Sequence, residues 1–135
     1  MHSRFLATGS LILLLAVVLG AFGAHGLRTM LGETPASFET GVRYHFYHGF
    51  AIMLAGFLYS IYDKKLIRYG AICFIVGVVL FSGSLYALTF LRATGSVGLS
   101  GIGLITPVGG LFFVAGWIFL TIAFLKSNAA GSSKK

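Results

Sequence analysis

The chain is poor in charge, and poorest in acid. Only 10% of its 135 residues are charged, against the roughly 25% of a soluble domain, so a soluble globular fold is set aside. Its three acids are Glu33, Glu39 and Asp63. They leave no carboxylate pair for general acid–base work, and no Ser/His/Asp set stands beside them, so the sequence leans away from an enzyme. None lies deep in an apolar run, where a proton-coupled transporter would want one. One cysteine, Cys73, excludes an internal disulfide and a CxxC redox centre. It falls inside an apolar run and reads as a small core residue. Short alternating strands are missing as well, which argues against a barrel.

Long uncharged runs are what the chain has instead. Residues 5–27, 44–62, 69–91 and 93–125 contain no Asp, Glu, Lys or Arg over 23, 19, 23 and 33 positions. A helix needs about 20 apolar residues to cross about 30 Å of hydrocarbon, so four spans fit. Arg4 followed by an apolar 11–19 segment has the look of a signal peptide, but the run is long for one and is read as a retained helix. The expected fold is an all-α integral membrane protein, an antiparallel four-helix transmembrane bundle. Residues 1–126 form its single domain, with helices at about 5–27, 37–62, 66–91 and 106–125. A loop at 93–105 joins the last two, and a basic cytoplasmic tail at 127–135 is expected to be disordered. Thr34-Pro35 or Ser37 suits the start of the second helix, and Thr106-Pro107 that of the fourth.

The net charge of +7 does not point to nucleic acid, because the charges flank the apolar runs. Arg4, Lys64, Lys65, Arg68, Lys126, Lys134 and Lys135 fall on one side of the expected bundle; Arg28, Arg43 and Arg92 fall on the other. By the positive-inside rule both termini lie in the cytoplasm of a cell whose inner membrane holds the protein.

Small residues recur every seven positions on each helix. Gly9, Ala16 and Gly23 form one series, Gly49 and Gly56 a second, Gly70, Gly77 and Ser84 a third, and Gly109, Gly116 and Ala123 a fourth. Small residues let helix backbones approach in lipid, and a spacing of seven follows one face with a left-handed drift. A left-handed, glycine-seamed bundle is the expectation.

The chemistry concentrates between positions 25 and 48, which hold His25, His45, His48, Glu33, Glu39, Arg28 and Arg43. His45 and His48 share a helix face, and Glu39 and Arg43 are four apart in the order that favours an ion pair. His25, between Gly23 and Gly26, sits where the first helix is expected to end, so the three histidines can meet or lie within about one helical turn in depth. With Glu39 they are the weak candidates for a metal site, although no metal or other cofactor is expected. A proton- or ligand-responsive site is a second reading, and histidines that bond loop carbonyls and close the bundle a third. Ser82, Tyr86 and Thr89 share one face of the third helix, and Thr106 opens the fourth at the same end. Their bland reading is hydrogen bonding between helices. Tyr44 and Tyr47 read as interface anchors, and Trp117 as a packing residue.

Five stretches taken together are similar to a known family: Gly-Ala-Phe-Gly-Ala-His-Gly-Leu at 20–27, Phe-Glu-Thr-Gly-Val-Arg-Tyr-His-Phe-Tyr-His at 38–48, Leu-Phe-Ser-Gly-Ser-Leu-Tyr at 80–86, Ile-Thr-Pro-Val-Gly-Gly at 105–110, and Gly116-Trp117. The chain resembles, over about 5–125, the family known as domain of unknown function 423, with a eukaryotic branch around transmembrane protein 256. The resemblance implies a four-span, mostly bacterial membrane protein and no particular activity. His45 departs from the family pattern, which favours Gln there, and this weakens the three-histidine metal site.

The leading functional expectation is a binding module. Its outward polar pocket, formed by His25, Arg28, Glu39, Arg43, His45, His48, Ser82, Tyr86 and Thr106, would take a small molecule, a lipid headgroup or a partner, with the arginines suited to an anionic group. An oligomeric transporter and a structural subunit of a larger membrane complex are the alternatives. Membrane lipids, a second copy or a complex partner are the expected contacts.

Overall fold

Residues 1–95 and 100–132 are described in the computed structural model, and among them the chain is entirely helical. The first long helix, α1, runs Ser3–Leu31 and the second, α2, Ala36–Leu58. The third, α3, covers Lys64–Ala93. A single turn at Ser100–Gly103 precedes the fourth, α4, Ile105–Ser132.

Three apolar helical stretches are long enough to cross a membrane: Ser3–Leu31, Lys64–Ala93 and Gly101–Ser127. The second helix falls outside that group because Arg43, His45 and His48 interrupt its apolar character, and it is the helix most enclosed by protein. On the flank of α1, Leu11, Leu14, Val17 and Val18 are 58, 57, 57 and 56% exposed. A contiguous apolar face of this kind is costly in water and neutral in lipid.

The helices alternate in direction. At one end the His2 N–H donates to the Gly56 carbonyl at 2.8 Å, and Tyr62 meets Phe124 ring to ring at 4.9 Å. At the other end the Thr34 hydroxyl donates to the Gly23 carbonyl at 2.8 Å, and Ser84 meets Thr106. Packing is closest between α1 and α2, between α3 and α4, and between α2 and α3. Phe38, Ile52, Ile67, Phe74 and Leu120 are fully enclosed.

All the small residues of the seven-residue series are buried, and the glycines among them face a neighbouring helix. A Cβ at position 9 would lie 2.9 Å from the Met53 backbone nitrogen, and one at position 70 would lie 3.2 Å from the Gly116 carbonyl. The α1 and α2 series thus face each other, as do those of α3 and α4. Close dispersion contacts replace the hydrophobic force that lipid cannot supply.

Two helices carry a π-helical turn, at Gly23–Leu27 and Val78–Ser82. The first lies beside Phe38: a Cβ at Gly23 would meet the Phe38 ring at 2.6 Å. A π turn disturbs the i→i−4 ladder, and the Thr34 hydroxyl bonds the Gly23 carbonyl there.

Several helix ends differ from expectation. The first helix does not stop near Leu27 but continues to Leu31, where Gly32 ends it with φ 79° and its N–H on the Arg28 carbonyl. That left-handed geometry suits glycine. Thr34 does not cap α2, because its hydroxyl is committed to Gly23; the second helix begins at Ala36 after Pro35 without a side-chain cap. Thr106 is likewise no cap. It lies inside α4, bonded to Ser84. The third helix does have a cap, Asp63, which accepts from Lys65 N–H and Leu66 N–H at 2.9 and 3.2 Å. The expected loop at 93–105 contains the helical turn Ser100–Gly103, and its residues 96–99 lie outside the described residues. Helix α4 continues through Ser132, so the described part of the expected disordered tail is helical; residues 133–135 lie outside the described set.

Candidate functional site

His48 sits among α2, α3 and α4. Its Nδ1 is 2.9 Å from the Tyr44 carbonyl, and its Nε2 is 3.3 Å from the indole nitrogen of Trp117. A carbonyl only accepts and an indole N–H only donates. Both partners are met only by the neutral imidazole protonated at Nδ1. The ring also lies on Phe113, with centroids 3.5 Å apart and planes 8° from parallel, and 5.4 Å from Phe74. This histidine is saturated.

His45, one turn earlier, faces elsewhere. Its Nδ1 is 3.1 Å from the Tyr86 hydroxyl on α3, and the Ile12 carbonyl of α1 borders the ring. Tyr86 packs on Phe38 with ring centroids 5.0 Å apart. Gly41 makes room for it: a Cβ there would lie 3.0 Å from the Tyr86 ring. Next to this pair the buried Ser82 hydroxyl donates to the Gly41 carbonyl at 2.8 Å. At the mouth of α4, Ser84 and Thr106 hydroxyls are 2.6 Å apart, and Ser84 also donates to the Phe81 carbonyl at 2.9 Å. Ser84 has a single proton, so Thr106 is the donor of the shared bond. Thr89 returns its hydroxyl to its own helix, at Leu85.

The three histidines do not meet. Gly49 lies beside Leu13, and Gly20 beside Val42, so His45 is level with about position 17 of α1. His25 is about eight residues further along, roughly 12 Å at 1.5 Å per residue. It is exposed, with its Nδ1 on the Ala21 carbonyl at 3.1 Å. Among the described residues no three His, Cys, Asp or Glu side chains come together to hold a metal ion. The polar pocket expected to draw on all four helices is divided instead. His45, His48, Ser82, Tyr86 and Thr106 are bonded to other protein groups, while His25, Arg28, Glu39 and Arg43 are exposed.

What opens at this end is a groove of about 340 Å³ between α1 and α2. Gly20, Gly23, Ala24, Phe38 and Val42 form its apolar wall, and Thr34, Glu39 and Arg43 its polar edge. Glu39 and Arg43 were expected to pair along the helix. Among the described residues they form no ion pair, and both charges stand free at the rim. His25 and Arg28 do not line the groove.

Phe113 and Trp117 were not among the expected site residues, although they make the environment of His48. Their spacing of four on α4 puts two aromatic rings on one face, a signal that does not reveal which helix they meet.

Three helices of span length and apolar composition, joined by glycine-mediated contacts, are the build of a membrane protein. Its relatives carry the same description. It is 39% identical to the UPF0382 membrane protein YwdK of Bacillus subtilis, over 90% of this chain and 96% of that one. It is 40% identical to a UPF0382 membrane protein of Staphylococcus haemolyticus, covering 90% and 95%. One from Haemophilus influenzae is 38% identical, covering 96% and 99%. The profile of the family described as "Protein of unknown function (DUF423)" matches residues 19–110, and the chain belongs to that family. No solved structure matches it.

Proposed function

We propose that the chain is a four-span, left-handed, glycine-seamed bundle of the inner membrane, with both termini cytoplasmic. In this reading it is a binding module that holds a zwitterionic headgroup in the groove between α1 and α2. The observation that carries it is the unpaired Glu39 and Arg43 at the rim of an apolar cavity of about 340 Å³. Opposite charges one helical turn apart, not spent on each other, complement an ammonium and a phosphate linked by two carbons. The carboxylate takes the ammonium, the guanidinium takes the phosphate in a two-pronged bond, and the apolar wall takes the first methylenes of a chain. The charge asymmetry of the loops supports the orientation, and the seven-residue series supports the handedness.

Native mass spectrometry of delipidated protein with phosphatidylethanolamine or phosphatidylglycerol tests the headgroup. Retention of the zwitterionic lipid, weakened about tenfold in both Glu39→Gln and Arg43→Gln, is expected; tenfold is about 1.4 kcal/mol. Equal retention by wild type and both variants overturns the assignment.

One observation favours a second reading, a structural subunit of a larger membrane complex. Among the described residues His45, His48, Ser82, Tyr86, Thr106 and Trp117 are bonded within the protein, so the middle of the bundle favours packing over a ligand. The same saturation weakens the oligomeric transporter. A stoichiometric partner co-purified in mild detergent, with no lipid selectivity, favours the structural reading over the groove.

A further inference from the structure

We propose a second binding site at the opposite, basic end of the bundle, for a phosphate oxyanion. A cavity of about 300 Å³ lies there, where the start of α1 meets the start of α3 and the end of α2. Arg4 and Thr8 come from α1, Arg68 and Ile72 from α3, and Tyr59 follows α2. No acid lines it. Asp63, the acid of the nearby turn, caps α3 with its carboxylate.

Three physical facts converge on an anion. Two guanidinium groups from different helices border one cavity without a counter-charge among the described residues. Arg4 sits in the first turn of α1, where the dipole is positive and a cation is disfavoured, and no acid stands in that turn. An anion seated between Arg4 and Arg68 offsets this repulsion and that of the two cations for each other, and arginine recognises phosphate through two parallel bonds. The third fact is His2, also on this wall. It is held between Phe5 and Tyr59, with ring centroids 4.3 and 4.5 Å away. Its Nδ1 is a buried side-chain polar atom with no hydrogen-bond partner. A buried polar atom left unpaired is rare, and this one comes within reach of a phosphate oxygen when the His2 ring turns toward the cavity.

The shared chemistry is a phosphate group carrying negative charge. A phospholipid in the adjoining leaflet and soluble phosphate are its two sources. The test uses the full chain in mild detergent, delipidated, as wild type, Arg4→Gln, Arg68→Gln, Arg68→Lys and Arg92→Gln; Arg92 is exposed near the far end of α3. One arm measures retention of phosphatidylglycerol against phosphatidylcholine by native mass spectrometry. The other measures thermal stabilisation by inorganic phosphate against chloride at equal ionic strength.

Arg4→Gln and Arg68→Gln are each expected to lower affinity about tenfold, the loss of one charge-assisted bond. Arg68→Lys recovers part of it, and Arg92→Gln leaves it unchanged. Selectivity in the lipid arm alone identifies a leaflet lipid; stabilisation by phosphate that depends on Arg4 and Arg68 identifies a soluble ligand. Equal behaviour of wild type, Arg4→Gln and Arg68→Gln in both arms overturns the site. So does an Arg92→Gln loss as large as theirs, since it would report bulk charge. Glu39 and Arg43 take no part, so this site and the α1–α2 groove succeed or fail independently.

Discussion

The indole N–H of Trp117 points at Nε2 of His48 across 3.3 Å, tying α4 to α2. The other nitrogen of the same ring is on the Tyr44 carbonyl, so the hydrogen bond from Trp117 selects one tautomer of a buried histidine. Nitrogen-15 NMR of labelled protein is expected to show His48 as the neutral Nδ1–H form. Trp117→Phe keeps the ring and removes the donor. It is expected to lower stability by about 0.6 kcal/mol and by no more than about 1.7, the average and the maximum for hydrogen bonds between membrane helices, with thermal unfolding in detergent as the readout. A double-mutant cycle with His48→Phe isolates the coupling; zero coupling means that the bond contributes nothing.

Adjacent glycines of α4 should answer differently to one methyl group. A Cβ at Gly109 meets the Phe81 backbone, which has no rotamer to yield, whereas one at Gly110 meets the Phe81 ring at 3.9 Å, an ordinary contact. Gly109→Ala is expected to destabilise by about 1–3 kcal/mol through overpacking. Gly110→Ala should be neutral or stabilising by up to about 1 kcal/mol, from helix propensity. Similar melting temperatures for the two variants would contradict the α3–α4 contact.

Ser82 and Tyr86 both reach from α3 to α2, but their removal leaves different debts. Ser82→Ala takes a hydroxyl from the Gly41 carbonyl, which as a helix carbonyl has a second partner. Tyr86→Phe leaves His45 Nδ1 without its hydroxyl partner inside the protein. A buried atom left unpaired costs about 1–3 kcal/mol, so Tyr86→Phe is expected to be the more damaging by unfolding midpoint. The reverse order would place the Tyr86 hydroxyl bond in doubt.

Asp63 closes the turn between α2 and α3 by accepting two backbone N–H groups. Asp63→Ala is expected to cost about 1 kcal/mol and Asp63→Asn less, because Asn also caps. Hydrogen exchange at Lys65 and Leu66 should accelerate in Asp63→Ala; unchanged exchange there would deny the cap.

The seven-residue glycine series were legible because the constraint is local and repeated: every member had to be small, and every member is buried. The Ser82–Tyr86–Thr89 face was legible for a similar reason, since helical period alone decides it. The meeting of the three histidines was not. It assumed that the end of α1 and the start of α2 bring His25 level with His45, whereas the register of the two helices sets His25 about eight residues further along α1. A π turn has no strong sequence mark, because it answers to a neighbour, here Phe38 and Thr34, not to the propensity of its own residues. The Glu39–Arg43 pair failed differently: correct spacing permits an exposed ion pair but adds too little energy to enforce one.

The sequence by itself determined the class of protein, an all-helical chain with span-length apolar runs, glycine contacts and a basic end. Those properties follow from hydropathy, residue size and charge, which are sums or periods along the chain. Only the tertiary structure decided which polar groups are spent and which are free. His45, His48, Ser82 and Thr106 are spent on other helices; Glu39 and Arg43 are left at a groove, and Arg4 and Arg68 are brought together at a cavity. A hydrogen bond needs two groups within about 3 Å, and the partners lie 22 to 69 residues apart, so helix packing chooses them.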